Sequence, residues 1–99
     1  MKAEDLLNDD FLKQFKDGKE LTNFLAQLQK RGIETLLEGE LDVHLDYDKH
    51  QKHISSNTRN GYSKKKLKTT LGETEINVPR DRESTFNPML VKKRESTLD

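Results

Sequence analysis

The stretch Tyr62-Ser63-Lys64-Lys65-Lys66-Leu67-Lys68-Thr69-Thr70-Leu71-Gly72-Glu73-Thr74-Glu75-Ile76-Asn77-Val78-Pro79 decides the fold. Leu67, Thr69 and Leu71 alternate with other residues before Gly72, and Thr74, Ile76 and Val78 alternate after it. A period of two places such residues on one face of a strand. Two β-prone runs around a glycine-containing turn predict a β-hairpin. Pro79 is expected to end the second strand, because it cannot donate to a ladder. An isolated hairpin is only marginally stable in water, so this one must pack on something or hold a ligand. Met89-Leu90-Val91, just after Pro88, is the nearest apolar stretch that could add to it.

Upstream the period changes to that of a helix. Leu6, Leu7, Phe11, Leu12 and Phe15 share a helical face, and Asp17-Gly18 ends the segment. Leu21, Phe24, Leu25 and Leu28 repeat at i, i+3, i+4 and i+7. Lys30-Arg31 suit the negative end of a helix dipole and Gly32 suits its cap. Ile33, Leu36, Leu37, Leu41 and Leu45 form a third run, weakened by Gly39. From Asp46 to Asn60 only Tyr47 and Ile54 are apolar, and Ser55-Ser56-Asn57-Thr58 has loop composition. The predicted class is therefore α+β. A helical segment of two to three amphipathic helices spans 1–45, for packing or oligomerisation. A polar linker spans 46–60, a basic β-hairpin region 61–91, and a polar tail 92–99. Ser96-Thr97 would suit a helix N-cap, yet no helix follows, as expected of a sequence cut before its next element.

A length of 99 residues limits the chain to one small domain or less. With 30% hydrophobic and 36% charged residues, any core is small. Leu, Ile, Val and Phe still number 24, above the roughly 20% typical of disordered chains, so ordered pieces are expected. The absence of cysteine excludes disulfides and thiolate metal sites and fits a reducing compartment. No apolar run is long enough to span a membrane, and Met1-Lys2-Ala3-Glu4-Asp5 does not resemble a signal peptide. A formal net charge of zero conceals two opposed halves: −6 over residues 1–48 and +6 over residues 49–99. Binding to a polyanion is thus expected of the second half.

The segment Arg59 to Leu71 holds Arg59, Lys64, Lys65, Lys66 and Lys68, with Tyr62 among them and no acid. Such clustered cations displace counterions from phosphates; five contacts would give a salt slope near about −4.5. A β-ribbon can enter or straddle a DNA groove. The plain alternative is a solvated edge strand whose lysines discourage aggregation. The second and third helical runs around Gly32 mimic a helix-turn-helix. However, Glu34, Glu38, Glu40, Asp42 and Asp46 would repel phosphates, so that face suits packing or oligomerisation better. His44, His50 and His53 near Asp46 and Asp48 match no zinc spacing and read as ordinary polar residues. The acids do not converge on any predicted rigid scaffold as a two-metal site would require. No glycine-rich phosphate loop or nucleophile motif occurs.

Three blocks together resemble the mutator-type insertion-sequence transposases of bacteria. The first is Leu36-Leu37-Glu38-Gly39-Glu40-Leu41-Asp42, continuing through His44-Leu45 to Tyr47. The second is Arg59-Asn60-Gly61-Tyr62-Ser63 with Lys64, Lys66 and Lys68-Thr69. The third runs from Gly72-Glu73 through Ile76 and Val78-Pro79-Arg80-Asp81-Arg82 to Phe86-Asn87-Pro88 and Leu90-Val91. Their order and spacing over roughly 33–94 make the match specific. The family often has Gly at Asp46 and near Glu83–Thr85, changes that bear on a linker and a turn.

The resemblance implies a cut-and-paste or copy-out DNA transposase whose N-terminal region binds the terminal inverted repeats of its element. It places catalysis, with a divalent metal such as magnesium, in an RNase H-like domain beyond this chain. No position here matches the Asp-Asp-Glu triad of that domain, so neither a catalytic residue nor a cofactor is expected among these 99. The expected partner is double-stranded DNA in the bacterial cytoplasm, with a homo-oligomer as a second partner class. Arg59, Asn60, Tyr62, Lys64, Lys65, Lys66 and Lys68 are the expected contacts, with Arg80 and Arg82 beside the same hairpin. Arg59, Asn60 and Tyr62 are the candidates for sequence preference, since phosphate contacts position without specifying. The alternative readings are an oligomerisation module, a regulatory fragment that binds ends without cutting them, and a decayed remnant.

Overall fold

The structure is a computed structural model that describes residues 2–52, 57–92 and 95–98. Its elements are α1 (Ala3–Leu6), α2 (Asp9–Leu12), α3 (Gly18–Lys52), β1 (Arg59–Thr69) and β2 (Gly72–Asp81). This is the α+β arrangement expected: helices first, then an antiparallel hairpin.

The N-terminal face is broken into two single turns. Asn8 interrupts it as an N-cap, its Oδ1 accepting from Asp10 N at 2.8 Å. Phe11, Phe15 and Phe24 then stack edge-on or tilted at 5.3–5.7 Å between centroids, tying α2 and the segment after it to α3. Asp17 ends the first segment and starts the next. Its Oδ1 accepts from Glu20 N at 2.8 Å, while Glu20 Oε2 accepts from Lys16 N at 3.4 Å.

From there one helix of 35 residues replaces the two expected after Gly18. Gly32 does not cap it. The sequence Lys30-Arg31-Gly32-Ile33-Glu34 offers no Ser, Thr, Asp or Asn to begin a new helix. The cost of about 1 kcal/mol for an interior glycine is below that of leaving two sets of helix ends unsatisfied. The polar linker expected over 46–60 is likewise helical to Lys52. No Gly or Pro interrupts residues 40–60, so polarity alone does not stop the helix there. His53, Ile54, Ser55 and Ser56 lie outside the described residues.

The hairpin closes through Thr70-Leu71. Thr69 Oγ1 accepts from Leu71 N at 3.1 Å and donates to Gly72 O at 2.9 Å. Gly72 has φ +113°, a conformation that only glycine adopts readily. Leu71, expected on the apolar face, sits in this turn and is exposed. Near the open end, Arg59 pairs with Asp81 and Tyr62 with Pro79, leaving one extra residue on β1. Gly61, at φ +69°, absorbs that bulge.

Pro79 does not end β2, which continues to Asp81. Alternate residues of a strand turn their nitrogens to the same edge. Asn77 N donates outward to Glu34 at 2.8 Å, so Pro79, two residues on, faces that outer edge, where no ladder donor is needed.

Beneath the sheet, Ile33 and Leu37 of α3 meet Leu67, Ile76 and Val91, with Val78, Leu90 and Leu98 packed around them. Leu41 is fully buried one turn further along α3. Ile33, Leu37 and Leu41 stand at i, i+4 and i+8, a single ridge. The segment after β2 folds back under the hairpin: Glu40 accepts from Met89 N at 2.7 Å and from Leu90 N at 3.1 Å. Of the stretch expected to add to the hairpin, Val91 is buried, Leu90 partly buried, and Met89 exposed. The tail then pairs with the outer edge of β1: Lys68 N donates to Ser96 O and Leu98 N to Lys68 O, each at 2.8 Å. Ser96-Thr97, read as a helix cap, thus forms a parallel bridge instead.

One polar node joins helix, hairpin and return segment. Asp81 is 2% exposed. Its carboxylate accepts from Asn57 Nδ2 (2.9 Å), Thr85 N (3.1 Å), Thr85 Oγ1 (2.8 Å) and Phe86 N (3.1 Å). His44 Nε2 lies 3.2 Å from the same carboxylate and 3.0 Å from Thr85 Oγ1. Because Thr85 gives its single proton to Asp81, Nε2 must carry hydrogen. Burial alone would raise the Asp81 pKa, but the hydrogen bonds from Asn57, Thr85 and Phe86 outweigh it and hold the carboxyl well below the usual range.

A carboxyl with a depressed folded-state pKa contributes fully at neutral pH, and its contribution is lost as pH falls below the unfolded value of about 3.9. Asp81→Asn should therefore cost about 3 kcal/mol at neutral pH. It should also lose less stability than the parent between about pH 5 and pH 2. Denaturant unfolding followed by circular dichroism across that range checks both; parallel acid profiles would contradict the assignment.

Candidate nucleic-acid interface

Strand alternation divides the basic segment between two faces. Lys64, Lys66 and Lys68 project from the outer, exposed face of β1. Two residues of strand separate neighbours, about 7 Å, so the three ammonium groups form a row. Across the ladder the same face of β2 carries Asn77, Glu75 and Glu73, paired with Lys64, Lys66 and Lys68 in turn. Lys64 Nζ lies 3.9 Å from Glu75, an exposed contact of small energetic value. The outer face thus has a cationic rail on β1 beside a carboxylate rail on β2. The bare sequence, read as an acid-free run from Arg59 to Leu71, did not reveal that second rail.

Lys65 is on the inner face. It is half-buried, and its Nζ donates to Lys92 O at 2.7 Å, tying β1 to the return segment. Arg80 is exposed near the open end of the hairpin and lines one cleft with Ser63, Lys64, Lys65 and Ser84. Arg82, also exposed, follows the last β2 residue, with its backbone N–H donating to Thr58 O at 2.7 Å. Asn60 is exposed at the bulge beside Gly61.

Arg59 and Tyr62 are turned elsewhere. The Arg59 guanidinium pairs with both Glu38 and Asp42 of α3. Tyr62, paired with Pro79 across the ladder, lines one cleft with Glu38. The neighbouring Glu38 carboxylate, as acceptor and as charge, raises the Tyr62 pKa above its ordinary value. Glu34 accepts from Asn77 N one turn earlier on the helix. Glu34, Glu38 and Asp42, at i, i+4 and i+8, therefore form a carboxylate ridge that runs beside the apolar ridge Ile33-Leu37-Leu41. The acids that argued against α3 reading DNA serve to seat the hairpin. Their spacing was visible in the sequence, but their partners were not.

Of the expected contacts, the structure groups Lys64, Lys66 and Lys68 on one surface and brings Arg80 to the same cleft as Lys64. It directs Arg59, Tyr62 and Lys65 into the protein's own contacts. The arrangement can place a short cationic row against a phosphate backbone. Among the described residues there is no group of His, Asp and Glu arranged to hold a metal ion. Nor is any described helix long and apolar enough to cross a membrane.

Comparison with known proteins agrees with the three sequence blocks. The family model described as "Transposase, Mutator family" matches residues 1–98. A probable transposase for insertion sequence element ISRM3-like of Sinorhizobium fredii is 40% identical over 76 residues, 77% of this chain and 18% of the relative. The transposase for insertion sequence element IS905 of Lactococcus lactis is 37% identical over 84 residues, 73% of this chain and 22% of that protein. The transposase for ISRM3 of Rhizobium meliloti is 40% identical over 76 residues, again 77% and 18%. The chain therefore spans only about a fifth of the length of these relatives. With a family match over nearly all of its length, a helix-seated basic hairpin and the three motif blocks in order, the chain belongs to the Mutator family of transposases.

Proposed function

We propose that this chain binds double-stranded DNA through the outer face of its hairpin, as the end-recognising part of an insertion-element transposase. The observation that carries the reading is the exposed row of Lys64, Lys66 and Lys68, held on a strand whose other cations, Arg59 and Lys65, are engaged within the protein. Neutralising phosphates with such a row releases counterions and supplies affinity without sequence preference. Arg80 and Arg82 extend the cationic surface past the open end of the hairpin. Asn60, exposed at the bulge, is the group best suited to read a base edge, because an amide can pair bidentately with adenine. The terminal inverted repeats of the element are the expected target. In this reading the strand-cutting chemistry and its divalent metal belong to other parts of such a transposase.

The acidic rail sets the approach. Glu73 and Glu75 would repel a phosphate lying flat across the ribbon, so DNA meets β1 obliquely and keeps β2 at a distance. Arg59 can reach DNA only by giving up Glu38 and Asp42. Backbone affinity therefore rests first on the lysine row.

Fluorescence anisotropy with labelled duplex DNA at several salt concentrations tests this. Replacing Lys64, Lys66 and Lys68 together by Ala should weaken binding to all sequences and flatten the salt slope by about 3, one unit per lost phosphate contact. Unchanged affinity and slope would overturn the assignment. The pair Glu73→Gln and Glu75→Gln should tighten binding, whereas a weaker or equal affinity would show that DNA does not pass this face. Asn60→Ala should leave non-specific binding intact and reduce the preference for the element's repeat by roughly 1–3 kcal/mol. An undiminished preference would remove Asn60 as a reader.

A further inference from the structure

The cleft that Arg80 shares with Lys64 has a volume of about 390 Å³, inside the range of roughly 300–1,000 Å³ usual for small-molecule sites. It lies between the open end of the hairpin and the return segment. Val78 and Pro79 come to it from β2, and Phe86, Pro88 and Val91 from the return segment. These apolar groups form its wall. Its charged groups are Lys64, Lys65 and Arg80 against one acid, Asp81. The Asp81 carboxylate is buried and already accepts from Asn57, Thr85 and Phe86, so the charge offered to a ligand is positive. The Arg80 guanidinium has no partner among the described residues. Ser63 and Ser84 add hydroxyls. Among the described residues, Ser84 is the one non-glycine residue at positive φ, +58°, where glycine would sit with less strain. Its hydroxyl, kept at that cost, has no partner among the described residues either.

An apolar wall, a positive mouth and two hydroxyls suit a ligand with a flat apolar body and an anionic linker. We propose that the cleft takes one unpaired base of DNA, turned out of the stack or standing at a strand end. The inference rests on the DNA-binding reading and adds to it where the strand goes beyond the lysine row. Lys64 belongs to both surfaces: it ends the row Lys68-Lys66-Lys64 and lines the cleft. The spacing of the row, about 7 Å, is close to that of successive phosphates on one strand, so a backbone that follows it arrives at the cleft. There Lys64 and Arg80 take the phosphates flanking one nucleotide. A paired base shows only its edge to a groove. Val78, Pro79 and Pro88 offer apolar surface to the face of a base, which is reached only when the base leaves the stack. Ser63 and Ser84 serve its polar edge, since a hydroxyl both donates and accepts. Continuity with the lysine row favours a nucleic-acid strand over an acidic peptide as the occupant.

Fluorescence anisotropy with the 99-residue chain tests this on labelled forms of one duplex. One form carries an unpaired thymidine inside the duplex and another carries it as an overhang. Each is matched by a form with an abasic residue in its place. At least one thymidine form should bind on the order of tenfold tighter than its abasic match, because the backbones are alike and only one has a base to insert. A gain for the internal form assigns a base turned out of the duplex, and a gain for the overhang alone assigns a strand end. Ser84→Gly relieves the positive φ and should raise thermal stability, yet lower that preference. Ser63→Phe, at an exposed position, should fill the cleft mouth and lower it too. An unpaired 4-thiothymidine at the same place should photo-cross-link within residues 78–91. Equal affinity for thymidine and abasic forms, with binding still salt-dependent, would overturn the proposal, leave the lysine row standing and assign the cleft to another ligand such as an acidic peptide. So would a preference left intact in both serine variants, or cross-links confined to α3. No binding to any form at low salt would overturn the DNA-binding reading as well.

Discussion

Everything downstream of residue 57 depends on how β2 is seated on α3. The apolar ridge Ile33-Leu37-Leu41 buries the inner face of the hairpin. The carboxylates beside it receive what a sheet edge leaves unsatisfied. Glu34 takes the Asn77 N–H, Glu38 and Asp42 take the Arg59 guanidinium, and Glu40 takes two N–H groups of the return segment. A hairpin alone is marginal in water. Here one edge is held by the helix and the other is bridged by the tail at Lys68. Each edge is thereby engaged at one point, at Asn77 and at Lys68, which also hinders pairing with foreign strands there.

That seating determines which cations are available to a ligand. The helix takes up Arg59 and Tyr62, and the return segment takes up Lys65. The alternate lysines of β1 are left facing solvent. The opposed charges of the two halves of the chain thus have two uses. Part of the positive half neutralises the negative half and fixes the fold, and the remainder forms a surface. The Asp81 node extends the same logic to the open end of the hairpin, where Asn57, Thr85, Phe86 and His44 converge on one buried carboxylate. It anchors the segment that carries Arg80 and Arg82 and positions the base of the cationic surface.

Much of this was legible in the sequence. The change of period from 3.6 to 2 located the hairpin, and the buried residues Ile33, Leu37, Leu41, Leu67 and Ile76 all belong to the runs that define those periods, while buried Val91 comes from the apolar stretch expected to add to the hairpin. What failed did so for identifiable reasons. Gly32 looked like a cap, but nothing near it could start a second helix. Residues 46–52 looked like a linker because they are polar, yet polarity without a Gly or Pro does not stop a helix. Pro79 looked like a stop, but an outer edge tolerates a missing donor. For the candidate interface, alternation alone could have sorted Lys64, Lys66 and Lys68 from Lys65. Pairing register and tertiary packing decided the rest. Without them neither the Glu73 and Glu75 rail nor the capture of Arg59 and Tyr62 could be seen, and Asn57 and Asp81 carried no local signal of their meeting.

The central claim is that the outer face of the hairpin, and not α3, meets DNA. An amide-resolved magnetic resonance titration of the chain with duplex DNA tests it most directly. The account predicts shifts concentrated in residues 60–68 and at Arg80 and Arg82, with the Glu34-to-Asp46 face of α3 undisturbed. Shifts centred on α3, with the lysine row unmoved, would contradict it.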